Sequence, residues 1–545
     1  MSNDHYDGGL PDEAVSFIDL VVKKVRYRKK VRCEVRDELV DHFYMAIKDC
    51  RTEGERQAAV REVIEEFGDA DVVARLIRRG KKRCRPLWRT VFVRSLQVLG
   101  VLLLLAGLRI GYLAGGNAVV SVNYVEWLND YVRQGRKESK NAYPYYVKAV
   151  ELGDIAVPSS LEAIADGDEQ ISEENVEEVR EYAAKMEGAF EALRQGAGKP
   201  YYWPEYEVDD YDYRSDPGLA SKVVSEQMPY IGGIKKLARR MSEFDIALKV
   251  YDGDVEGAVE ECLVLGQFGR HMEGRGLLIG QLVGIAVEGL AFECLENIIH
   301  TEVVPARVLE QCRDEMEKLS SDTSSMVDIS AEKVFFLDMI QRSFTDDGEG
   351  GGRVLLKGLP LAVKDKAGYV TGFVTGGYAD RREAVVSVKE FSKNFNEYIS
   401  IPPYRSKDAA VTAGQEEMLS DAVMSVQLTV PPLVKLREVS WRIMTSRRAM
   451  AGIFAVLLYE KDKGEYPVSL QDAVEAGYLN KVPVDPFSGA GFVYRKTEES
   501  FILYSFGTDM DDDGGVPYFN GKTGKPRKWG YDSGDTLFWP DVQDL

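Results

Sequence analysis

Apolar residues recur at helical spacing through most of the chain. Between Pro11 and Val25, Ala14, Phe17, Ile18, Val21 and Val25 share one face. In the next segment Val35, Leu39, Phe43 and Ile47 recur at steps of four and make one stripe. Thr52 precedes a third pattern, with Glu55 three positions on as its capping-box partner. Gly68 stops that helix, and Asp69 caps a fourth through Arg79. Over Val91–Gly115 the polar face disappears. Val98–Leu108 is uncharged and nearly all apolar. That centre alone rises only about 16 Å, too little for a hydrocarbon core of about 30 Å. Ser95–Gly115 is long enough, at the cost of carrying Arg109, which can snorkel to an interface.

Helical spacing returns beyond the apolar segment. Asn141–Gly153 presents Tyr145, Ala149 and Val150 on one face. Ile171–Leu193 is a second candidate, with Ser172 as its cap and Glu173 and Glu174 in the first turn. From Ile231 to Leu319 the pattern is densely helical. The apolar stretch 280–289 within it contains Gln281 and Glu288, which favours a buried helix over a second span. Asp346–Gly352, DDGEGGG, reads as a mobile loop. Near the end, Arg447–Asp462 is helical and Ser469 caps a short helix. GFVYRK and FILYSFG then read as two antiparallel strands. The expected fold is mainly α. It has an N-terminal helical bundle (11–83), one transmembrane helix (91–115) and a long helical extracytoplasmic domain (120–345). A mixed connecting region (346–440) leads to a small α+β domain with an antiparallel sheet (441–540).

Charge gives this layout a direction. The chain has 545 residues and a net charge of -20, which excludes a general nucleic-acid binder. Residues 1–94 nevertheless carry 21 basic and 17 acidic side chains, and no acidic residue lies between Val72 and the apolar segment. The positive-inside rule therefore puts the N-terminus in the cytoplasm and the body beyond the inner membrane. The basic cluster at the span suits anionic lipid headgroups. Gly107, Gly111 and Gly115 give two overlapping GxxxG patterns, a face suited to self-association.

Catalytic patterns are missing. The four histidines, His5, His42, His271 and His300, form no ligand-spaced pair, and no HExxH, Walker A or GxSxG run occurs. Residues 201–216, YYWPEYEVDDYDYRSD, mix aromatics with carboxylates. They suggest two alternatives to a non-enzymatic protein. One is a glycan- or peptide-processing hydrolase pairing Glu205 with Asp209 or Asp210. The other is a polysaccharide-binding surface. Cys262, Cys294 and Cys312 lie in apolar helices and read as buried thiols. In GTDMDDDGG, Asp509, Asp511 and Asp513 alternate before Gly514, an arrangement suited to a hard cation such as Ca2+. The twelfth position of an EF-hand would be Asn520, not Glu, so Asn520, Asp532, carbonyls or water would complete the shell.

Three groups of residues carry resemblances. Glu38, Leu39 and His42, then Ala58–Ala59, Phe67–Gly68–Asp69 and Val72, resemble the bacterial HAAS or permease-prefix type of N-terminal domain. That resemblance implies a small helical module placed before membrane segments. Asn141–Ala149, LLIGQLVGIAVEGLA within 230–319 and AEKVFFLDMIQRSF resemble large envelope proteins of planctomycete-like bacteria, which implies no activity. Tyr466–Pro467, Leu470, Gly477–Tyr478–Leu479, Pro483, Asp485–Pro486, Gly489, Tyr494, Tyr504–Ser505 and Gly507–Gly515 resemble the C-terminal part of the type II secretion major pseudopilin. By that resemblance the last domain is a helix packed on a small sheet, with a calcium-ordered loop at Asp509, Asp511 and Asp513. A pseudopilin carries its membrane helix at the N-terminus of this module. Here the span lies far upstream, which argues against incorporation into a pilus. The expected protein is a single-pass envelope scaffold, assembly factor or sensor that contacts membrane lipids and either a protein partner or a second copy.

Overall fold

The computed structural model describes the chain apart from residues 1–8, 28, 84–86, 208–211, 216–218, 322–325, 409–411, 413, 415–417, 419–429, 522, 531–532 and 541–545. Two compact units divide it, residues 1–109 and 110–545.

The first unit contains α1 (Asp12–Lys24), α2 (Lys29–Ile47), α3 (Glu53–Phe67), α4 (Ala70–Arg83) and most of α5 (Leu87–Ala114). Ala14, Ile18 and Val21 of α1 pack with the Val35–Leu39–Phe43–Ile47 stripe of α2. Phe17 completes the cluster edge-on to Phe43 at 6.0 Å. The expected capping box forms. The Glu55 amide donates to Thr52 Oγ1 at 3.4 Å, and the Thr52 amide donates to Glu55 Oε2 at 3.1 Å. Asp69 Oδ1 accepts from the Asp71 amide at 2.8 Å and starts α4. His42 is exposed beside Phe67.

Among the described residues two helices are long and apolar enough to cross a membrane. In the Val91–Ala114 part of α5 none of the most apolar window is buried, and Leu99, Leu102, Leu103 and Leu104 are all more than half exposed. The other is an internal helix of the second unit.

That unit begins with α6 (Tyr124–Arg133), α7 (Tyr143–Leu152), α8 (Glu162–Ala165), α9 (Val176–Ala197), α10 (Leu219–Arg240), α11 (Ala247–Tyr251) and α12 (Val255–Met272). It continues with α13 (Leu278–Thr301), α14 (Ala306–Ser321), α15 (Lys333–Ser343), α16 (Lys366–Thr375), α17 (Arg381–Ser400), α18 (Val430–Lys463) and α19 (Leu470–Glu475). Helix α9 starts four residues beyond Ser172. Asn175 Oδ1 accepts from the Ser172 amide at 2.8 Å, so that side chain organises the turn before the helix. In α7 the buried face is Tyr146 and Ala149, with Tyr145 half-buried.

The internal apolar helix is α13, half of whose apolar window is buried. It packs against α12 almost backbone to backbone. A Cβ added at Gly269 would lie 2.6 Å from both the Glu288 nitrogen and the Gly284 oxygen, so only glycine allows this approach. One hydrophobic core runs from Leu113 through these helices to Trp539, across positions 345 and 440 without a break.

The C-terminal region follows the expected order. Ser469 Oγ accepts from the Asp472 amide and caps α19. Strands β1 (Val493–Lys496) and β2 (Phe501–Ser505) pair antiparallel, with Val493 opposite Tyr504 and Lys496 opposite Phe501. After a small hairpin of β3 (Tyr518–Phe519) and β4 (Pro526–Arg527), β5 (Thr536–Trp539) adds to the far edge of β2. All four β5 residues are buried. They give no polar–apolar alternation, so the period that marks a half-buried strand is missing here.

Candidate functional site

The end of α5 is built into the second unit. Leu113 is 1% exposed and belongs to its main core. A helix terminus leaves its last carbonyls without intrahelical partners. Here Arg353 supplies donors. Nη2 donates to the Gly115 oxygen at 2.8 Å, Nη1 donates to the Tyr112 oxygen, and the guanidinium lies 4.0 Å from the Tyr112 ring centre. Cation, helix C-terminus and aromatic face thus favour one another.

Arg353 is fixed by the segment expected to be a mobile loop. Phe344 and Val354 form an antiparallel bridge, and the Thr345 amide donates to the Arg353 oxygen at 2.9 Å. Asp347 Oδ1 accepts from the amides of Glu349 and Gly351, both at 2.9 Å, and closes the hairpin tip. Acid side chains in this glycine-rich run satisfy turn amides. Gln341 of α15 holds the next stretch. Its Oε1 accepts from the Ser121 and Val122 amides at 3.2 and 3.1 Å, and its Nε2 donates to the Val122 oxygen at 3.0 Å. Asn123 then caps α6. The short connection from α5 to α6 is therefore secured twice.

The acidic loop lies between β2 and β3. Asp509 Oδ2 accepts from the Gly534 amide at 3.1 Å, and its Oδ1 accepts from the Asp511 amide at 3.2 Å. Asp511 Oδ1 accepts from the Asp512 amide at 3.1 Å. Asp512 Oδ1 accepts from Tyr504 Oη at 2.9 Å. The three expected ligands are not gathered around one point. Among the described residues no group of three or more His, Cys, Asp or Glu side chains is arranged to hold a metal. Asp532, named as a further ligand, lies outside the described residues. Asn520 instead closes its own turn, accepting from the Thr523 amide at 3.4 Å.

One acid beside the loop escaped the sequence reading. Asp535, at the start of β5, is fully buried, and its Oδ2 accepts from the Gly515 amide at 2.6 Å. Its Oδ1 and the buried Asp513 Oδ2 have no hydrogen-bond partner among the described residues. Burial pushes the Asp535 carboxyl up to about 6. The Asp512 and Asp513 charges add to that rise, while nearby backbone amides oppose it. Two orphaned carboxylate oxygens beside further carboxylates suit a hard cation. Asp535 is remote in sequence and outside the DxDxDG run, so no spacing rule exposes it.

A second feature that escaped the sequence reading is a buried ion network. Arg447 on α18 donates to Glu288 Oε2 at 2.6 Å and to Glu273 Oε2 at 2.8 Å. Arg270 lies 3.5 Å from Glu288 and 3.4 Å from Glu315. Burial raises Glu273 above the usual carboxylate range, with Arg447 opposing. Burial also works against Glu288, but Arg447 and Arg270 outweigh it and hold that carboxyl below its ordinary value. The network ties α12 and α13 to α18.

The aromatic segment is packed inward. Trp203 and Tyr206 are buried, and the Asn141 side chain bonds Trp203's backbone through Nδ2 and Oδ1, both at 3.0 Å. These two rings offer no exposed face to a sugar. Tyr201 is exposed, with Arg136 4.4 Å above its ring. Asp209 and Asp210, the proposed hydrolase partners of Glu205, lie outside the described residues. His271 shares a 2.6 Å hydrogen bond with Tyr146, and burial, then Arg270, push its ring down to about 4. It is a neutral packing histidine at physiological pH. No protein-family model, curated protein or solved structure matches the chain.

Proposed function

We propose that this is a single-pass envelope protein anchored through Val91–Gly115. Residues 11–83 lie in the cytoplasm and the body from about residue 120 lies outside the inner membrane. It acts as a scaffold, assembly factor or sensor without catalysis. The observation that carries this reading is the bare apolar face of α5, joined to a terminus secured by Leu113 and Arg353. The protein's partners are membrane lipids and a protein or second copy. Gly107 and Gly111 have open space at their Cβ positions, whereas Gly115 is occupied by the Arg353 contact. A pairing face would therefore centre on Gly107 and Gly111.

The acidic loop is read as a structural calcium site. Asp513 and Asp535 would hold the ion, with Asp509 and Asp511 turning toward it. The ion would neutralise crowded carboxylates and order the loop.

Alkaline extraction of bacterial membranes tests the anchor. The full chain should stay in the pellet, and the Leu102→Lys, Leu104→Lys double variant should pass to the soluble fraction as a folded protein. Release of the unaltered chain by alkali would sink the reading.

A further inference from the structure

The hairpin that carries Arg353 also supports an unusual helix. The Gly352 oxygen, one residue from Arg353, accepts from the Arg381 amide at 2.9 Å, and the Ala362 oxygen accepts from the Ala379 amide at 3.1 Å. Residues 363–378 are thus an excursion whose two ends are pinned beside the terminus of α5. Most of that excursion is α16. Asp365 Oδ1 caps it, accepting from the Gly368 amide at 2.7 Å, and Gly376, at φ +83°, ends it.

Its inner side is Gly372, Phe373 and the Tyr378 ring, which lies against Gly372. Its outer side is Ala367, Val370, Thr371 and Val374, with Val370 67% and Val374 77% exposed. A helix facing water carries charge on its outer side. Here residues 367–379 hold no charged side chain, in a chain that is 29% charged. Charge lies only at the edges of the excursion. Lys364, Asp365 and Lys366 are exposed at its start, Asp380 is exposed just past its end, and the nearby Asp346 is paired with Arg381. Two exposed valines on an uncharged face, carried by the hairpin that holds the end of α5, form an apolar patch that suits lipid better than water.

We infer that α16 rests on the lipid surface beside the end of α5, with Val370 and Val374 entering the interfacial layer and Lys364 and Lys366 at the headgroups. The inference rests on the reading of Val91–Gly115 as a span. It adds a second contact to the same bilayer and thereby fixes the tilt of the body. A helix this short would sink its apolar side about 5–10 Å, to the headgroup and acyl boundary.

Depth-dependent fluorescence quenching tests it. The full chain, with Cys33, Cys50 and Cys84 replaced by Ser, is reconstituted into vesicles of phosphatidylethanolamine and phosphatidylglycerol. An environment-sensitive dye is attached in turn at Val370→Cys, Val374→Cys, Leu103→Cys and Lys185→Cys. The first two should shift to the blue and be quenched several-fold more by shallow than by deep spin-labelled lipid. Leu103→Cys should be quenched best by the deep label, and Lys185→Cys by neither. Quenching at Leu103→Cys with none at Val370→Cys or Val374→Cys overturns the inference and leaves the span intact. A blue shift at the valines without lipid quenching also overturns it, assigning the face to a protein or a second copy. No quenching at Leu103→Cys removes the span and the inference together.

Discussion

Arg353 lies over the Tyr112 ring with 4.0 Å from guanidinium carbon to ring centre, and the same side chain donates to the backbone at the end of α5. One residue therefore joins the apolar helix to the hairpin at 344–354. Arg353→Ala should leave the body folded but free the α5–α6 connection. The expected loss is about 1–3 kcal/mol, from a cation–π contact and charge-assisted hydrogen bonds. Amide exchange at Ser121 and Val122 should rise at least tenfold. Arg353→Lys keeps the charge without the planar fork and should fall between. Unchanged exchange in Arg353→Ala would remove the clamp from the account.

The Arg447 network predicts a larger effect. Arg447→Met leaves two buried carboxylates without their main partner and should cost about 3–5 kcal/mol in chemical denaturation at pH 7. The loss should shrink in acid, where both carboxylates protonate. In the unaltered protein Glu273 is raised above its usual 4.5, so the folded state holds the extra proton and stability falls as pH climbs past that value. Glu288 is lowered, so its contribution is present above 4.5 and fades as pH falls through its depressed value. Glu273→Gln should flatten the first trend only.

Asp535 predicts how the loop answers to calcium. Its folded value of about 6 exceeds the ordinary 3.8, so in cation-free protein stability falls as pH rises between the two. Above that window Asp535→Asn should be more stable than the parent, by up to about 3 kcal/mol for a shift of this size. Calcium should stabilise the parent and not the variant. Scanning calorimetry of the full chain with and without calcium separates the cases. A calcium response that survives Asp535→Asn would place the ion elsewhere.

Close packing of α12 on α13 predicts a contrast between glycines. A Cβ at Gly284 would lie 2.5 Å from the Gly269 oxygen and 2.9 Å from Met272 Cβ, whereas Gly280 and Gly289 have open space. Gly284→Ala should destabilise by about 1–3 kcal/mol. Gly280→Ala and Gly289→Ala should be neutral or gain up to about 1 kcal/mol from helix propensity. Equal effects at all three positions would contradict a buried α12–α13 pair.

Local patterns made much of the fold legible. The α2 stripe, the Thr52 and Ser469 caps, the apolar segment of α5 and the β1–β2 pair all depend on residues a few positions apart, where spacing and propensity act directly. The candidate site was less visible because its parts meet only in the tertiary fold. Arg353 reaches Tyr112 across 241 positions, and Arg447 reaches Glu288 across 159. Neither arginine stands out in sequence from surface arginines. In DDGEGGG the glycine content signals a loop, but not that Asp347 closes its turn through the amides of Glu349 and Gly351. Asp509 and Asp511 were chosen by motif, and folding directs their oxygens to the amides of Gly534 and neighbouring residues.

The central proposal is that a membrane separates residues 11–83 from the body beyond about residue 120. Labelling spheroplasts with a membrane-impermeant maleimide tests it most directly, using native Cys33 and Cys50 in the first unit and Lys185→Cys on exposed α9 in the second. The account predicts immediate labelling at Lys185→Cys, with Cys33 and Cys50 protected until the membrane is permeabilised. Equal labelling of both units before permeabilisation, or labelling of the first unit alone, would contradict it.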